Sequence, residues 1–209
     1  MSKANYQPLK VITTLNYQPT VLFMPTVAFV TNNPHKVQDA QKLLTRLQLE
    51  HWAIELVEIQ NLDPQAIITH KLKQAFTQTN KPCFVMDTSF YLDCLNGFPG
   101  PLIKWFFKQI GDQKICQICS LFNNYHCHYT TYLGYFDGQE TYFFSKTIHG
   151  SIAPEPRGTN GFDWDTIFIP QGQQLTFAEM SFTEKQQFAV TSTLLRELEE
   201  FILAQTNQE

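Results

Sequence analysis

Apolar and polar positions along the chain group into short runs and amphipathic stretches that alternate. TVAFVT at 26–31 is a β-branched and aromatic run broken by Asn32, Asn33 and Pro34. Val37, Ala40, Leu43, Leu44 and Leu47 then recur at helical spacing, which predicts strand, tight turn and helix. Asn33 is suited to the N-cap and Pro34 to the first helical position. HWAIELVEI at 51–59 predicts a second strand, and a helix opens at Asp63 and Pro64, carrying Ile67, Ile68, Leu72, Ala75 and Phe76. CFVMD at 83–87 predicts a buried strand ending in an acid; SFYLDCL and the turn-rich stretch 96–101 follow, and one or two helices fill 102–122. Residues 125–149, rich in Tyr, Thr and Phe with a turn at Asp137 and Gly138, predict a long hairpin. From Thr183 to about Ala204, Phe188, Leu194, Leu195, Leu198, Phe201 and Ile202 predict an amphipathic helix. Early strand–helix alternation followed by a long hairpin predicts an α/β fold on a mixed sheet, with the hairpin as a second lobe. No repeat or low-complexity linker divides the chain, so 1–25 reads as an N-terminal extension and 26–209 as one domain.

Composition narrows the picture. Of 209 residues, 43% are hydrophobic and 14% aromatic, enough for a substantial core and against disorder. The formal net charge is -4 and the basic residues are scattered, which argues against a nucleic-acid partner. No segment reaches the ~20 apolar residues of a membrane helix, so a cytoplasmic protein is expected. The five cysteines are odd in number and cluster late, which argues against a secreted disulfide framework and for reduced thiols. Cys116 and Cys119, with His126, Cys127 and His128 close behind, superficially resemble a zinc ligand set. The first two, however, lie at helical spacing with Ile115 and Phe122, and strand alternation sends Cys127 to the face opposite the two histidines.

Charges in unexpected places carry more information. Lys36 falls in the first turn of its helix, where the macrodipole disfavours a cation unless an anion shares that end. Lys71 borders the apolar stripe of its helix and Lys104 sits inside LIKWFF; either can extend its ammonium to water along an apolar stem. Asp87 closes a buried run, and ligands of open α/β sheets collect beyond the carboxyl ends of strands. A turn with backbone N–H groups, several lysines and an acid together describe a phosphate and metal site.

Five ordered motifs then resemble the inosine/xanthosine triphosphate pyrophosphatase family. TVAFVTNNPHK is similar to its opening strand and T-G-N-x-x-K loop, with Asn32 in place of the glycine. VMDTSFYLDCLNGFPGPLIKWF resembles its acidic motif, G-x-P-G segment and lysine. LVEIQN resembles L-P-E-x-Q-G, PRGTNGFDWDTIFIP resembles F-G-W-D-x-x-F, and TFAEMSFTEKQ resembles A-E-M…E-K-N. The resemblance spans residue 26 to the end. It implies an elongated mixed sheet with flanking helices, two lobes around a central nucleotide cleft, a homodimer, and magnesium-dependent hydrolysis of nucleoside triphosphates to monophosphate and pyrophosphate.

Carried over residue by residue, the resemblance assigns Thr31, Asn32, Asn33, Lys36, Lys71, Thr88 and Lys104 to the triphosphate end. Asp87 becomes the proton acceptor, and Glu58 with Asp87 the metal carboxylates. Phe162 stacks on the base, Trp164 and Asp165 shape the sugar and base pocket, and Lys185 lies beside it. Beyond Asn32, three further features depart from the pattern. Met86 stands where the family has Glu, and Asp163 where it has Gly. Ala189, Val190 and Thr191, or Thr191, Ser192 and Thr193 with a two-residue gap, replace the Ser-His-Arg triplet that reads the 6-oxo group. Three readings stay open: an active enzyme with altered base choice, a catalytically weak or inactive nucleotide-binding homologue with a regulatory role, and a vestigial cleft beside a partner surface.

Overall fold

The computed structural model describes residues 24–161 and 163–206; Phe162 and nearly all of the N-terminal extension lie outside them. Strand β1 (Thr26–Val30) leads through the Asn32–Asn33 turn into helix α1 (Pro34–Leu43), and β2 (Gln48–Trp52) returns parallel to β1. Helix α2 (Pro64–Thr79) is capped by Asp63, whose side chain accepts from Gln65 N, with Pro64 opening the first turn. Strand β3 (Cys83–Leu92), the two-residue β4 (Pro99–Gly100), helices α3 (Ile103–Ile110) and α4 (Asp112–Leu121), and the long hairpin β5 (His126–Phe136) and β6 (Thr141–Ile152) follow. Strand β7 (Phe168–Pro170), helix α5 (Phe182–Gln186) and helix α6 (Val190–Thr206) complete the described chain.

These strands form one seven-stranded mixed sheet in the order β2-β1-β3-β5-β6-β7, with β4 on β3. The sheet is parallel from β2 to β3 and antiparallel beyond. Alternation along β3 sorts its side chains between two cores. Cys83 and Val85 pack with Ile68, Leu72 and Ala75 of α2. Phe84, Met86, Phe90 and Leu92 join Val37, Ala40 and Leu44 from α1 and Leu194, Leu195 and Leu198 from α6.

One discontinuity organises the molecule. On the edge of β3 away from β5, β1 pairs only with Cys83 and Phe84, and β4 only with Phe90 and Tyr91. Between them, residues 85–89 have no strand neighbour on that edge among the described residues.

Three expectations are corrected. The second strand is 48–52, not 51–59: Trp52, Ile54 and Leu56 continue to alternate inward against the α2-side core, but the chain has left the ladder. Asp87 does not terminate a strand, because β3 runs on to Leu92 and pairs with β5 throughout. Nor is the C-terminal helix continuous. After Gln186 the turns tighten to i→i−3 bonds from Gln187, Phe188 and Ala189 before α6 begins at Val190.

Candidate active site

Asp87 lies mid-strand in β3 yet beside the carboxyl end of β1, because β1 stops at Val30 while β3 continues along the open edge. The β1–α1 turn therefore faces it. Asn33 caps α1 through its Oδ1, which accepts from Lys36 N (3.2 Å), and Asn33 N donates to Thr31 Oγ1 (3.1 Å). His51 Nε2 lies 2.9 Å from Thr31 O and ties this turn to β2. From the first turn of α1, Lys36 Nζ reaches across the gap and donates to the Met86 carbonyl on the unpaired edge (3.1 Å).

Lys71, on the buried side of α2, donates to Glu58 Oε1 (2.5 Å) and to Asp87 Oδ2 (2.7 Å). Its side chain is 9% exposed, against 44% for Glu58 and 34% for Asp87, so a buried cation holds two carboxylates at the mouth of the gap. Burial is the largest single influence on Lys71 and pulls its pKa down, but Asp87 and Glu58 outweigh it and the net direction is up. Lys36 moves the opposite way. Its burial dominates and the neighbouring Lys71 adds to it, with Asp87 and Glu58 only partly offsetting the fall. Acids across the gap thus offset only part of the cost of a cation in the helix's first turn.

Glu58 sits in the extended segment after β2, and its placement depends on Gln74, a residue that sequence reasoning passed over. Gln74 Oε1 accepts from Val57 N and Gln74 Nε2 donates to Val57 O, both at 2.9 Å. The carboxamide fixes the backbone just before Glu58. The available signal was its position three residues after Lys71 on the same helix face; its partner, 17 residues away, was invisible.

The remaining candidates gather on the other face of β3. Thr88 alternates away from Asp87; its Oγ1 lies 3.1 Å from Thr131 Oγ1, while its N–H donates to Asp87 Oδ1 (2.9 Å). Trp164 packs on Phe90 at 5.2 Å between ring centroids. Asp165 is buried and ion-paired with Lys185, whose ammonium also lies 5.1 Å from the Phe177 ring centroid. Lys104 is exposed on α3 and within electrostatic reach of Asp163. The sequence-derived set thus divides in two. Glu58, Lys71 and Asp87, with Lys36 reaching in, lie at one mouth of the gap, and Lys104, Trp164, Asp165 and Lys185 lie on the opposite side.

The departures from the family pattern also have structural form. Met86 is buried in the α1–α6 core, so its side chain points away from Asp87. Asp163 adopts φ +48, a left-handed conformation that glycine takes without strain and Asp tolerates. Its carboxyl is held above its usual range, first by burial and then by Asp165, with Lys104 opposing. Val190 is buried at the start of α6, between half-buried Ala189 and Thr191.

Glu58 and Asp87 converge from a loop and a strand as hard oxygen donors. That donor set suits magnesium, which binds through one or two carboxylates plus phosphate oxygens. Among the described residues no three His, Cys, Asp or Glu side chains converge as a closed metal cage. The five cysteines are free thiols, and no described helix is long and apolar enough to cross a membrane.

Solved structures share this architecture. A HAM1 protein from Coxiella burnetii matches with a TM-score of 0.76 at 21% identity, covering 87% of this chain and 100% of that one. A nucleoside-triphosphatase / dITP/XTP pyrophosphatase from Mycobacterium abscessus matches at 0.70 and 22%, covering 83% and 98%. Their class is the α/β fold of the Ham1 proteins. Residues 27–201 match the Ham1 family, and the chain belongs to it. The dITP/XTP pyrophosphatase of Thermococcus kodakarensis is 35% identical over 173 residues, 82% of this chain and 94% of the relative. The inosine triphosphate pyrophosphatase of Saccharomyces cerevisiae is 35% identical over 188 residues, 84% and 95% of the two chains.

Proposed function

We propose that the protein hydrolyses nucleoside triphosphates to the monophosphate and pyrophosphate, with the triphosphate at the Lys36–Lys71–Asp87–Glu58 end of the gap and the base on the Trp164 side. The observation that carries this reading is the unpaired edge of β3, which joins a cation- and carboxylate-rich mouth on one face to the Phe90–Trp164 ring pair on the other. The names of the relatives, dITP/XTP and inosine triphosphate pyrophosphatases, fit the same chemistry.

Lys36 and Lys71 act as point charges for phosphate oxygens. Thr31, Asn32 and Asn33 frame the turn against which those oxygens rest, and Lys104 and Lys185 flank the other side. Asp87 takes the proton of the attacking water, and Lys71 holds its carboxylate in place. Glu58 and Asp87 would hold magnesium, which when bound neutralises phosphate charge and makes a bound water more acidic. Trp164 and Asp165 shape the pocket and Phe162, beyond the described residues, is proposed to stack on the base. With Val190 buried and no His or Arg at 189–191, the usual donors to a 6-oxo group are absent, so discrimination for deaminated purines is expected to be weak.

Pyrophosphate release from a panel of ordinary and deaminated triphosphates with magnesium tests the proposal. Turnover of at least one, reduced about 10²–10⁴-fold in Asp87→Asn, is expected; no release from any of them overturns it. A second reading, a binding homologue without turnover, is favoured by Met86 turning into the core. It predicts thermal stabilisation by triphosphates without hydrolysis, and robust turnover abolished by Asp87→Asn rules it out.

A homodimer is also proposed, supported by the exposed Phe98, Trp105, Leu121 and Phe122 around α3 and α4; light scattering on eluting protein tests it. The free thiols favour a reducing compartment such as the cytoplasm.

A further inference from the structure

The hairpin brings together side chains that the proposed hydrolysis leaves unused. In the β3–β5–β6 register, Tyr91 lies directly opposite His128 and His128 directly opposite His149, so the three side chains share one sheet face. The two imidazoles have ring centroids 5.3 Å apart and are tilted by 38°. Tyr91 stacks on His128 at 4.7 Å and 13°, and its hydroxyl lies 3.2 Å from that of Tyr132; this fixes the plane of the His128 ring. The pair opens into a depression of about 370 Å³, to which Asp93, His126, Gln171 and Gln173 also contribute.

We propose that His128 and His149 bind a borderline divalent transition-metal ion, such as nickel, copper or zinc, through their ring nitrogens. Two imidazoles on one ion, with metal–nitrogen bonds of about 2.0–2.1 Å, have ring centres about 5 Å apart at a tetrahedral angle. The pair already stands at this spacing. The neighbouring thiols take no part: Cys127 is buried on the other face, and burial pushes Cys116 and Cys119 up to about 11 and about 12. Because no three ligating side chains converge among the described residues, water completes the coordination. Affinity then follows the divalent series, copper above nickel and zinc. Oxygen-preferring magnesium is excluded by ligand type, and His128, four residues from the position facing Asp87, is roughly 13 Å from it along the sheet.

The test is calorimetric titration of nickel into the whole protein with magnesium in excess, so that the carboxylate site is already supplied. One equivalent of nickel is expected to bind to the natural protein, weakened at least tenfold in His128→Gln and in His149→Gln. His149 is exposed, so its variant keeps the fold, which an unchanged unfolding temperature without nickel verifies. Equal nickel affinity in the natural protein and His149→Gln, or no nickel binding to the natural protein, overturns the proposal.

Discussion

At residue scale, Asp163 departs from the family pattern with a left-handed backbone at φ +48, which Asp adopts at some cost, and a carboxyl beside Asp165. A carboxyl whose pKa is higher folded than unfolded costs no stability while protonated. The cost develops as pH rises above the unfolded value and is complete above the folded one. Asp163→Gly removes the backbone strain, worth about 1 kcal/mol, and with it a smaller, solvent-screened charge cost. Its unfolding temperature is expected to rise by roughly 2–4 °C near neutral pH, with a smaller gain at pH 3, as calorimetric scans at the two pH values would record. Lys71 makes the opposite case. Replacing it with Met leaves Glu58 and Asp87 facing each other without the ammonium between them. Triphosphate turnover should then fall about tenfold or more, and an unchanged kcat/KM would show that Lys71 neither positions Asp87 nor meets phosphate.

At the scale of elements, the helix bearing Lys71 is seated on β5 through Gly134. A Cβ there would stand 2.2 Å from Ile68 Cγ2 and 2.9 Å from Leu72 Cδ1. Gly134→Val should therefore lift α2 from the sheet, destabilise the fold by about 1–3 kcal/mol in denaturant titration, and weaken triphosphate binding, since Lys71 moves with its helix. Which elements the sequence made legible follows from which forces are local. The Asn33 cap, the Pro64 helix start and the hairpin, expected over 125–149 and found at 126–152, rest on neighbours in sequence. The segment 53–58 has the alternation of a strand, with Ile54 and Leu56 inward and Glu55 and Val57 outward, but a ladder needs a partner and it has none among the described residues. Asp87 looked terminal because its apolar run stops where the edge of β3 opens, a tertiary event. The same holds for the site. The lysines stood out as misplaced charges, whereas Gln74 gripping Val57 is a long-range encounter without a local signature, and the meeting of His128 with His149 depends on a hairpin register that the turn residues alone do not fix.

Across the whole molecule, the two ends of the described chain are fastened together. Arg46, just beyond α1, donates its backbone N–H and its guanidinium to Glu199 of α6, and also pairs with Glu200. Glu199 is 4% exposed, so Glu199→Ala strands the Arg46 backbone donor and leaves the guanidinium only its exposed partner Glu200. Unfolding should become easier with the m-value unchanged, whereas Glu200→Ala, at the exposed rim, should do little. The gap in β3 has a consequence at this scale too. A bare stretch of strand edge invites a foreign strand to add on, the usual beginning of aggregation. Lys36, by occupying the Met86 carbonyl, places a positive charge in that opening and denies it to another chain. Lys36→Ala should therefore scatter more light on prolonged storage than Lys104→Ala, which removes an equal charge far from the edge. The lysine proposed to hold phosphate would then also be the guard that keeps the protein soluble between substrates.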